Sequence, residues 1–191
     1  RLAKNDGVFE LLMSEFVPER VLAIESSAIV ELGRDPNWRM VARHDLGDLA
    51  TSTLVELSAD QWMVGNWRGY PQILTRSEAD GSVRVSARIL GAETGLVGNP
   101  ATGSSVWKLS GQIFATLGDD LFEWRDGRFV ARPEHPLVAL AGERLNEIEM
   151  RGGPGHQYAF TSRAVWVEQD GKWEPLRLES RRALGVSELS L

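Results

Sequence analysis

The sequence predicts an all-β fold assembled from a repeated four-stranded unit, and three observations carry that prediction. A turn phrase opened by Asp and followed by an apolar residue returns four times: Asp35-Pro36-Asn37-Trp38, Asp80-Gly81-Ser82-Val83, Asp126-Gly127-Arg128-Phe129 and Asp170-Gly171-Lys172-Trp173. The residues that close these phrases, Trp38, Val83, Phe129 and Trp173, are spaced by 45, 46 and 44 positions. In the same frame Phe114-Ala115 matches Tyr158-Ala159 and Phe122 matches Trp166, at an offset of 44. Self-similarity at such a period marks an array of supersecondary units.

Inside one unit the elements follow in order. Between Ser52 and Leu90 four short β-rich runs, Thr53–Leu57, Gln61–Gly65, Pro71–Thr75 and Val83–Ala87, alternate with turn residues. The Asp-Gly pair closes the hairpin between the third run and the fourth, because Gly adopts φ > 0 without steric cost and Asp tolerates the left-handed region. Four antiparallel strands repeated every 40 to 50 residues predict a β-propeller of four-stranded blades, with about four blades in this chain. The expected blades cover about 7–43, 51–90, 104–133 and 145–178 within one propeller region, 1–191. Phe122, Phe129, Trp166 and Trp173 are expected to fill the space between blades. A further run, Gly185–Leu191 (GVSELSL), resembles the unit openings STLVELS and SVWKLSG. It either closes a ring or opens another unit, and an excerpt of a larger propeller is the expectation.

Composition bounds the function. A net charge of −6 over 191 residues disfavours a nucleic-acid surface, which needs clustered Lys and Arg. The chain has no Cys, so a disulfide framework, a thiolate metal site and a Cys nucleophile are excluded. No apolar run of about 18 residues is present, so no membrane insertion by a helix of this segment is expected. The chain begins without Met and without a signal-peptide pattern, as expected of a trimmed or excerpted chain.

Chemistry-bearing motifs are sparse. His44, His135 and His156 fall in expected loops with no ligand spacing, so neither metal nor cofactor is expected. Gly98–Ser105 (GNPATGSS) lacks the Lys and the long helix of a phosphate loop. Arg151–His156 (RGGPGH) reads as a turn, and Asp119-Asp120 as a solvated turn rather than a catalytic pair. No catalytic residue is therefore assigned. The best candidate for binding is Asn66–Pro71 (NWRGYP), which places Trp67, Arg68 and Tyr70 where turn residues are ordinarily small. Aromatics beside Arg suit a binding hot spot, a sugar ring or an acidic group; the plainer alternative is that Trp67 and Tyr70 pack onto the neighbouring blade.

The unit resembles the repeat of two-component regulator propellers. The matching residues are Ser52–Leu57 followed by Trp62-Met63-Val64-Gly65-Asn66, and in the third unit Ser105-Val106-Trp107, Phe114-Ala115-Thr116 and Leu121-Phe122-Glu123-Trp124. The first unit departs from the pattern: it lacks the glycine after its second strand and has Asp-Pro-Asn for Asp-Gly. The resemblance implies a periplasmic or otherwise extracytoplasmic sensor region. In that family such regions precede a membrane helix and a kinase or cyclase output, none of which is visible in this sequence. The favoured expectation is a non-enzymatic sensor that takes an unidentified small ligand or protein partner where loops of the blades converge. Binding would bias blade packing or the contacts of a homodimer. One alternative is a protein-interaction scaffold. Another is a glycan-active enzyme using first-strand charges such as Glu56, Lys108 and Glu147 near a central channel.

Overall fold

A computed structural model describes residues 8–176 other than 26, 48, 81, 142–144, 146–147, 154–155, 162–163 and 170–171. The expected strand at Gly185–Leu191, the hairpin glycines Gly81 and Gly171, and Glu147 lie outside the described residues.

Among the described residues the fold is all-β and of the β-propeller type, with four blades, each a four-stranded antiparallel sheet in up-and-down order. The first comprises β1 (Val8–Met13), β2 (Arg20–Glu25), β3 (Ala28–Arg34) and β4 (Trp38–Asp45). The second comprises β5 (Thr51–Ser58), β6 (Gln61–Asn66), β7 (Gln72–Ala79) and β8 (Ser82–Ile89). The third comprises β9 (Val106–Leu109), β10 (Gln112–Leu117), β11 (Asp120–Arg125) and β12 (Arg128–Ala131). The fourth comprises β13 (Glu149–Gly153), β14 (His156–Phe160), β15 (Val165–Gln169) and β16 (Lys172–Pro175). A short helix α1 (Pro136–Ala141) follows the third blade. The chain divides into two compact units, Arg1–Asn146 with the first three blades and Glu147–Leu191 with the fourth.

Turn chemistry explains the hairpins. Asp126 (φ 51°) and Gly127 (φ 80°) both take the left-handed region that a two-residue hairpin turn requires. Ser110 (φ 48°) and Gly111 (φ 79°) do the same between β9 and β10, a second such turn that the repeat phrase does not contain.

Packing within the first unit follows from strand alternation. Leu22, Ile24 and Ile29 of blade 1 meet Leu54, Trp62, Val64 and Leu74 of blade 2 in one buried cluster. Val55, Met63 and Ile73, on the opposite face of blade 2, join Val106, Ala115, Leu117, Phe122 and Phe129 of blade 3 in another. Leu90 and Leu96 of the β8–β9 connection complete that second cluster. Phe122 and Phe129 thus fill space between blades, their rings edge-on with centroids 6.4 Å apart. In the second unit Trp166 and Trp173 are half-buried. The turn-following position is not uniformly interior: Trp38, on the edge strand β4, is 47% exposed.

Candidate functional site

The Asn66–Tyr70 turn is held by backbone and side-chain contacts on both flanks. Asn66 forms a bridge with Ser104, its N–H donating to the Ser104 carbonyl (2.9 Å) while the Ser104 N–H donates to the Asn66 carbonyl (2.7 Å). The Trp67 N–H donates to the Ala50 carbonyl (2.9 Å) in the β4–β5 connection. The Asn66 side-chain oxygen accepts from the Arg68 N–H (3.0 Å), closing an Asx turn. Ser104 Oγ donates to the Gly69 carbonyl (2.9 Å), and Ser52 Oγ donates to the Ser104 carbonyl (2.8 Å).

Two glycines let these segments approach. A Cβ on Gly65 would fall 2.7 Å from the Ser104 carbonyl oxygen and from Thr53 Oγ1. A Cβ on Gly103 would fall 2.6 Å from the Trp67 carbonyl oxygen, and Gly103 already sits at φ +76°. The turn is therefore tied down on both flanks rather than a free loop.

The three sequence-predicted residues separate on this frame. Trp67 is 58% exposed, and Arg68 is exposed beside it. Tyr70 is half-buried and packs against the apolar cluster shared by blades 2 and 3. Packing accounts for Tyr70 and leaves Trp67 and Arg68 facing solvent. Ile89 (59% exposed) ends β8, opposite Gln72 at the start of β7, and so lies at the same end of blade 2. Val97 (70% exposed) lies in the β8–β9 connection that leaves from this end.

The other end of the blades carries charge. The Glu56 carboxylate on β5 is fully buried and accepts from Ser14 Oγ (2.9 Å), the Glu15 N–H (2.6 Å) and Arg20 Nη2 (2.8 Å). Lys108 on β9 forms an ion pair with Glu15 and lies 5.9 Å over the ring of Phe16. Two of the first-strand charges that a channel enzyme would use are thus engaged by the β1–β2 loop.

The histidine expectations need one correction. His44 is not a solvated loop residue: it lies on β4, buried, with Nε2 2.5 Å from Glu31 Oε1. Strand β4 continues to Asp45, and the β3–β4 register sets His44 opposite Ile29, two residues from Glu31 on the same face. Arg76 Nε of blade 2 also reaches Glu31 Oε1 (3.1 Å), and Arg20 Nη1 lies 3.8 Å from Oε2. Burial pushes the Glu31 carboxyl up, but the His44 hydrogen bond and the charges of Arg76 and Arg20 outweigh it and hold the group below the ordinary 4.5.

His135 precedes α1, its ring 5.0 Å from Phe114, and its Nδ1 accepts from the Leu137 N–H. Burial lowers its affinity for a proton below the ordinary 6.5. His156 begins β14. Among the described residues no three His, Asp or Glu groups assemble to hold a metal.

The remaining motifs are structural. Asn99 caps a 3-10 turn over Pro100–Thr102, its side chain accepting from the Ala101 N–H, so the phosphate-loop likeness is a capping motif. Asp119 and Asp120 are exposed at the β10–β11 hairpin. Arg151–Gly153, read as part of a turn, instead completes β13 because these residues pair with His156–Tyr158. Sequence reasoning also passed over Glu31 and Glu123. Their signal was a carboxylate inside a β-rich run, a position that burial penalises unless a cation is supplied. Arg132 and Arg125 supply it for Glu123, holding its carboxyl below 4.5 against the upward push of burial.

No described helix is long and apolar enough to cross a membrane. Comparison with protein-family models and with curated proteins gives no match for this chain.

Proposed function

We propose that this chain is a non-enzymatic sensory propeller region of the two-component regulator type, working outside the cytoplasm, which binds its ligand at the Trp67–Arg68 turn. One observation carries the reading. Trp67, 58% exposed, and the exposed Arg68 are neighbours in sequence on a turn clamped from both flanks. Exposing Trp gains nothing for folding, whereas a rigid aromatic beside Arg suits recognition because little entropy is lost on binding. The engagement of Glu56 and Lys108 by the β1–β2 loop supports the non-enzymatic part of the proposal, since both charges already have partners.

Calorimetric titration tests it, with neutral oligosaccharides, uronic-acid oligosaccharides and acidic peptides as probes. At least one class is expected to bind. Trp67→Ala and Arg68→Ala are each expected to weaken that binding about tenfold or more, the loss of roughly 1.4 kcal/mol that removing a hot-spot contact brings. Binding unchanged in both variants moves the site elsewhere, and turnover of any probe overturns the non-enzymatic reading.

A protein-interaction scaffold is the second reading, favoured by exposed Ile89 and Val97 toward the same end of blade 2. It predicts that a partner protein, and none of the small probes, loses affinity on Trp67→Ala.

A further inference from the structure

The β1–β2 loop reaches from blade 1 across the inner strands of blades 2 and 3, and its two attachments differ in kind. Its root is buried. The Glu56 carboxylate, with no exposed side-chain surface, receives Ser14 Oγ, the Glu15 N–H and Arg20 Nη2. Ser14 Oγ in turn accepts from the Val17 N–H (2.9 Å), and the Ser14 N–H donates to the Arg20 carbonyl (2.9 Å). Removing any of these donors leaves a buried charge undersatisfied, so the root stays shut. The tip is half in water. The Glu15 side chain is 49% exposed, Lys108 29%, and Phe16 45%. A contact of this exposure biases an equilibrium by about fivefold at most.

The tip also has the composition of a ligand. One carboxylate pairs with the Lys108 ammonium, and the adjacent aromatic ring lies under the same ammonium at 5.9 Å. A carboxylate alone would satisfy the charge. The ring of the next residue adds a second contact to the same ammonium.

We propose that Glu15-Phe16 is an internal occupant of a peptide-recognition site centred on Lys108. A partner segment that presents an acidic residue directly before an aromatic one displaces the tip while the Ser14–Glu56 root holds. This site is independent of the Trp67–Arg68 turn: Thr51, opposite Asn66, opens β5, whereas Glu56 lies near its other end.

The test is calorimetry of N-acetyl-Glu-Phe-amide with the full chain. The variant Glu15→Ala/Phe16→Ala, which takes these two side chains off Lys108 and leaves the root intact, is expected to bind the probe. The unaltered chain is expected to bind about fivefold more weakly, the bias of a half-exposed ion pair. Lys108→Ala added to the double variant is expected to lose binding, as is substitution of N-acetyl-Gln-Phe-amide for the probe. Thermal melting of each variant confirms the fold. The proposal is overturned if the double variant does not bind, if it binds no better than the unaltered chain, or if Lys108→Ala leaves its binding unchanged.

Discussion

The two blade junctions of the first unit are built from the same kind of strand and held by different physics. Between blades 2 and 3 the contact is apolar throughout the buried cluster, from Val55 and Met63 to Phe122 and Phe129. Between blades 1 and 2 an apolar cluster around Trp62 and Leu74 is joined by a charge network of Arg20, Glu31, Glu56 and Arg76, with His44 Nε2 against Glu31. An apolar junction responds to volume. A charged one responds to the loss of a partner, because the remaining ions then lose part of the compensation for their burial. The difference teaches that blade stacking in this protein does not demand a single interface chemistry, only that every buried group be satisfied.

Substitutions break the comparison most directly. Phe122→Ala is expected to destabilise by about 3–5 kcal/mol through lost burial and the cavity left behind, read as a fall in the urea midpoint. Phe122→Leu sharpens the point: keeping an apolar side chain of similar size, it is expected to cost under about 1.5 kcal/mol. At the charged junction the conservative change is the damaging one. Glu31→Gln keeps the volume yet is expected to cost about 2 kcal/mol, since it strips the charge that Arg76 and Arg20 face even though Glu56, Asp60 and Glu78 still pair with them. If Glu31→Gln proves milder than Phe122→Leu, the contrast between the junctions fails.

Acid separates them next. Glu31 and Glu123 have folded-state affinities for protons below the unfolded value of 4.5. Their stabilisation is therefore complete above 4.5 and is lost as pH falls below it, because the unfolded chain then binds more protons than the folded one. His135 is likewise harder to protonate when folded than its ordinary 6.5, so a smaller loss begins as pH drops below 6.5. Thermal melting followed from pH 7 to pH 3 is expected to fall in both windows. Glu31→Gln removes part of the lower one, and Phe122→Leu leaves both unchanged.

The smallest effects lie in the turns. Gly127→Ala meets no neighbour within 4 Å but keeps φ at +80°, so about 1–2 kcal/mol of backbone strain is expected in the urea midpoint. Trp67→Ala is expected to change stability by no more than about 0.5 kcal/mol, as for an exposed side chain. A larger loss would mean that the indole serves packing rather than recognition.

Much of the fold was legible because turn chemistry is local. Asp126-Gly127 is readable from two residues, and the repeat multiplies the signal across blades. The candidate site was half legible. Trp67, Arg68 and Tyr70 stand out together, yet only the packing shows that Tyr70 belongs to the core and the other two to the surface. His44 was misread as a loop residue because its environment depends on hairpin register and on Arg76, a residue of another blade.

What the sequence determined by itself was the period, the hairpins and the alternation that makes each four-stranded sheet, all set by steric preferences within a few residues. What only the tertiary structure decided was the partner of each charge: Arg76 for buried Glu31, Ser14 and Arg20 for buried Glu56, Glu15 for the half-exposed Lys108. These pairs join residues up to 93 positions apart. No local preference encodes them, because the cost of a buried charge is levied only once the blades have come together and excluded water.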